Sequence, residues 1–310
     1  MAVVLACCYV LMAGDSALPV PVKPAAPLIL PPQILVSQGP LEGREYSVSR
    51  RWIIPFGART VELPILMYHY VRTPPSPFAD YLGFRLSVGP DVFEAQMSWL
   101  GANGYHPVTF NDLRSYFAGE QPLPPKPLVI TLDDGYADLY TTAYPILKAH
   151  AFKAVAYIVT GFVGWPQYVS KDQILEMDRN GIEIASHTVS HPNLARSSIG
   201  SITREVGASK QWLEALLGHP VLDFAYPSGQ YNSQVVEALK SVGYDTAVTE
   251  VPSTIHPWDD RYRWTRVRVG GGESLSDFAS SLGPSMQPVL LTEIHVITPP
   301  VQPPRDRPGS

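Results

Sequence analysis

The run Pro127-Leu128-Val129-Ile130-Thr131-Leu132 is apolar almost throughout and stops abruptly at Asp133-Asp134-Gly135. Such a run reads as a strand buried on both faces, the kind found inside a parallel α/β sheet, that delivers acidic side chains to the loop at its C-terminal end. Two adjacent carboxylates there repel each other, so something positive must compensate them. A metal ion is the simplest candidate, because it can bind one carboxylate while the other handles protons. Taken alone, Asp-Asp-Gly is also an ordinary solvated turn. The rest of the chain shifts the balance.

On either side of this run the pattern alternates between extended and helical. Strands are predicted over Leu63–Val71, Leu128–Leu132, Ala154–Val159, Ile182–Ala185 and Asp223–Tyr226. Further extended segments follow at Tyr244–Val248, Arg266–Val269 and Pro288–Ile297. Helices are predicted over Asp91–Asn103, Asp138–His150, Lys171–Asn180, Ser201–Leu217, Ser233–Val242 and Leu275–Leu282. Strands that alternate with helices argue for an α/β fold with a mainly parallel sheet. About seven units point to a barrel, whose active site lies at the C-terminal ends of its strands. The chain of 310 residues allows one large domain or two small ones, and 45% apolar content supports a real core. A net charge of -5 gives no reason to expect nucleic acid as a partner.

Many of the 32 prolines lie toward the two ends. Residues 1–14 (MAVVLACCYVLMAG) form an apolar leader too short to span a bilayer as a helix and read as the remnant of a signal peptide. Residues 15–60 read as a Pro-rich tether and an arm leading into the fold, and 299–310 as a Pro-rich tail. The main domain is expected over 61–298. Cys7 and Cys8 are the only cysteines, so the folded part has neither a disulfide nor a thiolate metal site. Together these features favour an extracellular or cell-envelope location, with the N-terminal segment as a membrane or envelope tether.

A second signal is Ile182-Glu183-Ile184-Ala185-Ser186-His187-Thr188-Val189-Ser190-His191. Histidines at this spacing can converge on one metal, and imidazole suits zinc and its first-row neighbours. The zinc-peptidase frame requires Glu directly after the first histidine, where Thr188 stands, so that reading fails. A lone pair of histidines is often structural, but here it lies at the end of a second strand, matching the paired aspartates. A third, weaker signal is Phe224-Ala225-Tyr226-Pro227-Ser228-Gly229-Gln230-Tyr231. It can shape a substrate groove, with Tyr226 or Tyr231 as a stacking face and backbone N–H groups as an oxyanion site.

Thr131–Gly135, His187–His191 and Ala225–Gly229 resemble the first three motifs of the polysaccharide deacetylases (NodB homology domain, carbohydrate esterase family 4). The resemblance covers roughly Leu63 to Ile297. Leu66-Met67-Tyr68-His69-Tyr70-Val71 and Arg266-Val267-Arg268-Val269 are most similar to the branch containing the poly-N-acetylglucosamine deacetylases. It implies a distorted (β/α) barrel and a metal-dependent hydrolase that removes N-acetyl groups from N-acetylglucosamine-containing polysaccharide. It further implies that Asp134, His187 and His191 hold a divalent metal, zinc or else cobalt or nickel. Asp133 would be the general base, the Tyr226 N–H the oxyanion donor, and Pro227 and Tyr231 part of the substrate groove.

Three departures accompany the resemblance. Leu132 replaces a common Phe, Ser228 stands where an aromatic residue is frequent, and Ala225 stands where Arg is frequent. Arg266 or Arg268 is then expected to supply the missing charge, Arg266 as the residue that orients the base, unless both are exposed edge-strand residues. Two histidines compete as general acid. His295 lies on the last predicted strand, the usual family position, and His69 on the first; the residues flanking His69 favour it. Two rivals remain. A non-catalytic carbohydrate-binding relative would not need the base and all three ligands. A Mg-dependent phosphoryl-transfer enzyme spaces its aspartates by one residue and leaves both histidines without a role.

Overall fold

All the strands of the main sheet run parallel, and six of them follow sequence order around a curled wall. The computed structural model describes residues 59–283. The leader, nearly all of the tether and arm, the tail and the predicted strand Pro288–Ile297 with His295 lie outside the described residues. We label the seven strands on the sheet's main path β1 (Ile65–Tyr68), β2 (Pro127–Leu132), β3 (Ala154–Ile158), β4 (Ile182–Ser186), β5 (Asp223–Ala225), β6 (Thr246–Val248) and β7 (Val267–Arg268). Their spatial order is β6-β5-β4-β3-β2-β1-β7, and His106–Pro107 adds an eighth strand beside the start of β2. Beyond β6 the wall continues: the Trp264 N–H donates to the Ala247 carbonyl at 3.1 Å and the Thr249 N–H to the Trp264 carbonyl at 2.8 Å. The chain from Trp264 to β7 therefore bonds β6 on one side and β1 on the other, which makes a small distorted barrel.

Alternation along each strand separates two buried clusters. Ile65, Val129, Val155, Tyr157, Ala185 and Val248 belong to the one inside the ring. Leu66, Ile130, Ala156, Ile184 and Phe224 belong to the other, packed beneath helix residues such as Met97, Leu147, Ile174, Val206 and Leu239. The helices are α1 (Tyr81–Leu86), α2 (Pro90–Ala102), α3 (Phe110–Phe117), α4 (Tyr144–Ala149), α5 (Lys171–Arg179), α6 (Ile199–Leu217), α7 (Ser233–Val242) and α8 (Leu275–Ser281), of which α3 adds Phe110, Leu113 and Tyr116 to the first cluster instead. Five of the six predicted helices occur within two residues of their expected ends.

Three differences have local causes. The strand expected over Leu63–Val71 divides at His69, because the chain leaves β2 after Tyr68 and pairs Tyr70–Val71 with Ser87–Val88 instead. The helix expected over Asp138–His150 opens with a wide turn at Leu139–Ala143, where the Tyr144 N–H reaches back to Leu139. Pro145, the next residue, has no N–H to continue a regular ladder. The unpredicted α3 has a capping box in which Thr109 and Asp112 satisfy each other's exposed backbone groups.

Candidate active site

The two-residue period that sorts the core also gathers the site. In β2, Val129 and Thr131 point inward, and so does Asp133 one step past the strand; in β4, Ala185 points inward, followed by His187. Backbone bonds extend the ladder over these ends. The Asp133 N–H donates to the Tyr68 carbonyl and the His187 N–H to the Ile158 carbonyl, each at 2.9 Å. Asp134 then turns away at φ +71°, and Gly135 follows at φ +73°, where glycine is favoured.

Asp134, His187 and His191 form the one group of three potential metal ligands among the described residues, with donor atoms all within 4.8 Å of one another. The Nε2 atoms of both histidines lie 3.4 Å from Asp134 Oδ1. His187 Nδ1 is 2.8 Å from the Ala225 carbonyl, so its proton belongs there and Nε2 presents a lone pair to the site. Two imidazoles and one carboxylate suit a first-row divalent ion, and the close convergence of their donor atoms fits one. Burial pushes the Asp134 carboxyl up, but His187, His69 and His191 hold it well below the usual range. Burial lowers His191, and the neighbouring His187 lowers it further.

Asp133 is compensated differently. Arg266 is fully buried and grips both its oxygens, Nη1 to Oδ1 at 2.7 Å and Nη2 to Oδ2 at 2.8 Å. Arg266 also donates from Nε to the Thr249 carbonyl at 2.9 Å and from Nη1 to the Thr131 hydroxyl at 3.0 Å. Burial pushes the Asp133 carboxyl up, yet Arg266, with His69 and His187, brings it below its ordinary value. Arg266 is thus not an exposed edge residue. Arg268, the other candidate, pairs with Glu250. His69 is buried with Nε2 4.0 Å from Asp133 Oδ2, and its Nδ1 has no hydrogen-bond partner among the described residues. Burial lowers its pKa.

The third motif departs from expectation. The Tyr226 N–H, expected as oxyanion donor, donates to the Val248 carbonyl at 3.2 Å within the sheet. Its ring is fully buried, its hydroxyl donates to the Tyr262 carbonyl at 2.9 Å, and Tyr231 stacks on it at 4.8 Å. Tyr226 is therefore a packing residue in this structure, and Tyr231 is its cover. Pro227 is buried at the start of a tight turn in which Ser228 has φ +53°.

Sequence reasoning missed Glu205. From α6 it accepts from the Val189 and Ser190 N–H groups, each at 2.9 Å, and from the Ser190 hydroxyl at 2.7 Å. These bonds hold the loop between the two histidines. The only signal was a glutamate in an amphipathic helix, which reads as a solvent-facing residue.

Comparison with known proteins agrees with this geometry. Residues 120–247 match the family model described as Polysaccharide deacetylase. YxkH of Bacillus subtilis (strain 168), named for the polysaccharide deacetylases, is 32% identical over 222 residues, 72% of this chain and 76% of its own length. The poly-beta-1,6-N-acetyl-D-glucosamine N-deacetylase of Escherichia coli (strain K12) is 27% identical over 240 residues, and the match spans 64% of this chain but only 36% of that protein. Among solved structures, the Streptococcus pyogenes deacetylase PplD, in complex with acetate, superposes with a TM-score of 0.67 at 29% identity, covering 72% of this chain and 99% of PplD.

Proposed function

This chain belongs to the polysaccharide deacetylase family, metal-dependent hydrolases of carbon–nitrogen non-peptide bonds, and from that premise we propose which bond it cleaves and with which residues. Its reaction is the removal of N-acetyl groups from an N-acetylglucosamine-containing polysaccharide. One observation carries the reading: the paired Asp133 and Asp134 have separate partners, the Arg266 guanidinium for one and two imidazoles, placed to share an ion with it, for the other. A non-catalytic relative would have no need of both.

Asp134, His187 and His191 would hold the ion, zinc by the chemistry of the donor set, with cobalt or nickel as working substitutes. When bound, such an ion lowers the pKa of water and polarises the acetyl carbonyl. Asp133 is the general base, kept ionised and oriented by Arg266, and it takes the proton of the attacking water. His69, with Nε2 4.0 Å from Asp133 Oδ2, protonates the departing amine. With the Tyr226 N–H already used, the oxyanion donor is assigned to Ser228. In that turn the Gly229 and Gln230 N–H groups donate to the Tyr226 and Pro227 carbonyls, and proline has none to offer. Among the described residues the Ser228 N–H makes no hydrogen bond.

The substrate class argues for work outside the cytoplasm, at the cell envelope or beyond it. No helix among the described residues is long and apolar enough to cross a membrane. Amine release from N-acetylglucosamine oligomers by metal-reconstituted protein tests the assignment. His69→Ala is expected to lower turnover by roughly 10²-fold or more with metal content unchanged. Asp133→Asn should keep the metal and lose activity, and Asp134→Asn should lose both. Near wild-type turnover in Asp133→Asn would remove Asp133 as the base.

A further inference from the structure

The loop between β3 and α5 is stapled to both metal-bearing loops. At its start the Thr160 N–H donates to the Thr188 carbonyl at 3.1 Å and the Gly161 N–H to the Val189 carbonyl at 2.8 Å. At its end the Val169 N–H donates to the Gly135 carbonyl at 3.0 Å, and the Ala137 N–H to the Gln167 carbonyl at 2.9 Å. Between these staples it is internally bonded: the Trp165 N–H reaches the Phe162 carbonyl at 3.0 Å, and the Tyr168 N–H reaches the Trp165 carbonyl at 2.9 Å. An ordered loop so closely tied to the site has its side chains placed in advance.

It presents a row of rings. Tyr136, two residues beyond Asp134, lies 5.2 Å from Tyr168; Tyr168 lies 5.0 Å from Phe162 and 6.2 Å from Trp165. Phe162 and Trp165 are 4.9 Å apart. Exposure rises along the row, from partly buried Tyr136, Tyr168 and Phe162 to Trp165 at 56%. An apolar ring kept at the surface by ordered backbone, with other rings supporting it, suits a ligand with an apolar face. The C–H face of a pyranose ring is such a surface, and its hydroxyls remain in water on the other side.

We propose that Trp165, backed by Phe162 and Tyr168, forms an outlying subsite that stacks a sugar of the same polysaccharide two or more units from the residue being deacetylated, beyond the reach of a dimer. The proposal rests on the deacetylase reading and deepens it. The enzyme then recognises a chain rather than a single amino sugar, because Trp165 stands two ring-to-ring steps beyond Tyr136. The exposed position of Trp165 makes its replacement mild for the fold.

The test compares an N-acetylglucosamine dimer with a hexamer. Trp165→Ala should lower kcat/KM for the hexamer by roughly 3- to 10-fold, through KM, and leave the dimer unchanged. Trp165→Phe, which keeps a ring, should restore most of the loss. Calorimetry with metal-stripped protein gives a second readout, in which the wild type binds hexamer more tightly than Trp165→Ala does. Equal losses on dimer and hexamer, or no loss on the hexamer, would overturn the subsite. A wild type that released no amine from either oligomer would remove the deacetylase reading instead. Calorimetry would then decide the subsite alone: hexamer bound by the wild type and weakened by the substitution sustains it, and anything else overturns it.

Discussion

Thr188 and His191 both hold positive φ, +70° and +55°, a conformation that costs a non-glycine residue about 1 kcal/mol or more. The three hydrogen bonds to Glu205 lie between them and offset that strain. Removing the carboxylate should let His191 move. Glu205→Ala is expected to weaken metal binding by roughly 10- to 100-fold, read by competition with a chelator, while the far-ultraviolet circular dichroism stays the same. Glu205→Gln keeps one acceptor oxygen and should lose less. Unchanged affinity in Glu205→Ala would mean that the loop holds its own shape. At this scale Asp133, Asp134, His187 and His191 were legible as candidates, because their spacing repeats a strand end twice. Arg266 was legible only as one of two candidates, since nothing in Arg-Val-Arg-Val says which arginine faces inward. Tyr226 misled, because an aromatic residue beside a turn looks the same whether it is buried or exposed.

Among the elements, the β3–α5 loop and the loop of the two histidines depend on each other's backbone. A Cβ added at Gly161 would lie 2.5 Å from the Val189 carbonyl oxygen, closer than any real contact. One of the two loops must therefore shift in Gly161→Ala. The expected outcome is weaker metal binding together with a stability loss of about 1–3 kcal/mol in urea unfolding. A variant with wild-type metal affinity would show that the pairing does not position His191. Helices were readable at this scale because their apolar period and end signals are local. The wide turn before α4 was also within reach, because Pro145 forbids a regular ladder there, but its consequence depends on which carbonyl the Tyr144 N–H then finds.

Over the whole molecule, a second arginine–carboxylate cluster spans the start of β4 and β5. Arg114 donates to Asp223 at 2.6 and 3.0 Å and to Glu183 at 3.2 Å, and the Asn111 N–H donates to Glu183 at 3.1 Å. Burial and the Asp223 charge push the Glu183 carboxyl well up, whereas Arg114 and Glu183 help hold Asp223 down. Glu183 therefore keeps its proton in the folded chain at a pH where the unfolded chain gives it up. Its contribution to stability is complete below the ordinary carboxylate range and is lost as pH rises through its raised value. Glu183→Gln supplies a neutral donor and acceptor of the same shape. The difference in urea midpoint between Gln and Glu should grow in favour of Gln as pH rises above the ordinary carboxylate range. Parallel midpoint curves would show that Glu183 is ionised in both states.

What the sequence determined by itself was whatever a local period or a fixed spacing encodes. This covers the alternation of strand and helix, the parallel barrel, the two loops that carry the candidate metal ligands and the family they resemble. The tertiary structure decided every pairing between residues far apart in the chain. It brought Arg266 onto Asp133, His69 near the same carboxylate, Glu205 under the histidine loop and the Tyr226 N–H into the ladder with Val248. The reason is geometric. Inward and outward faces alternate with a period of two that sequence can count, but which inward residues meet depends on strand order and register. Those are set by how the ring closes through Trp264 and β7, a contact between the first strand and the last that no local pattern records.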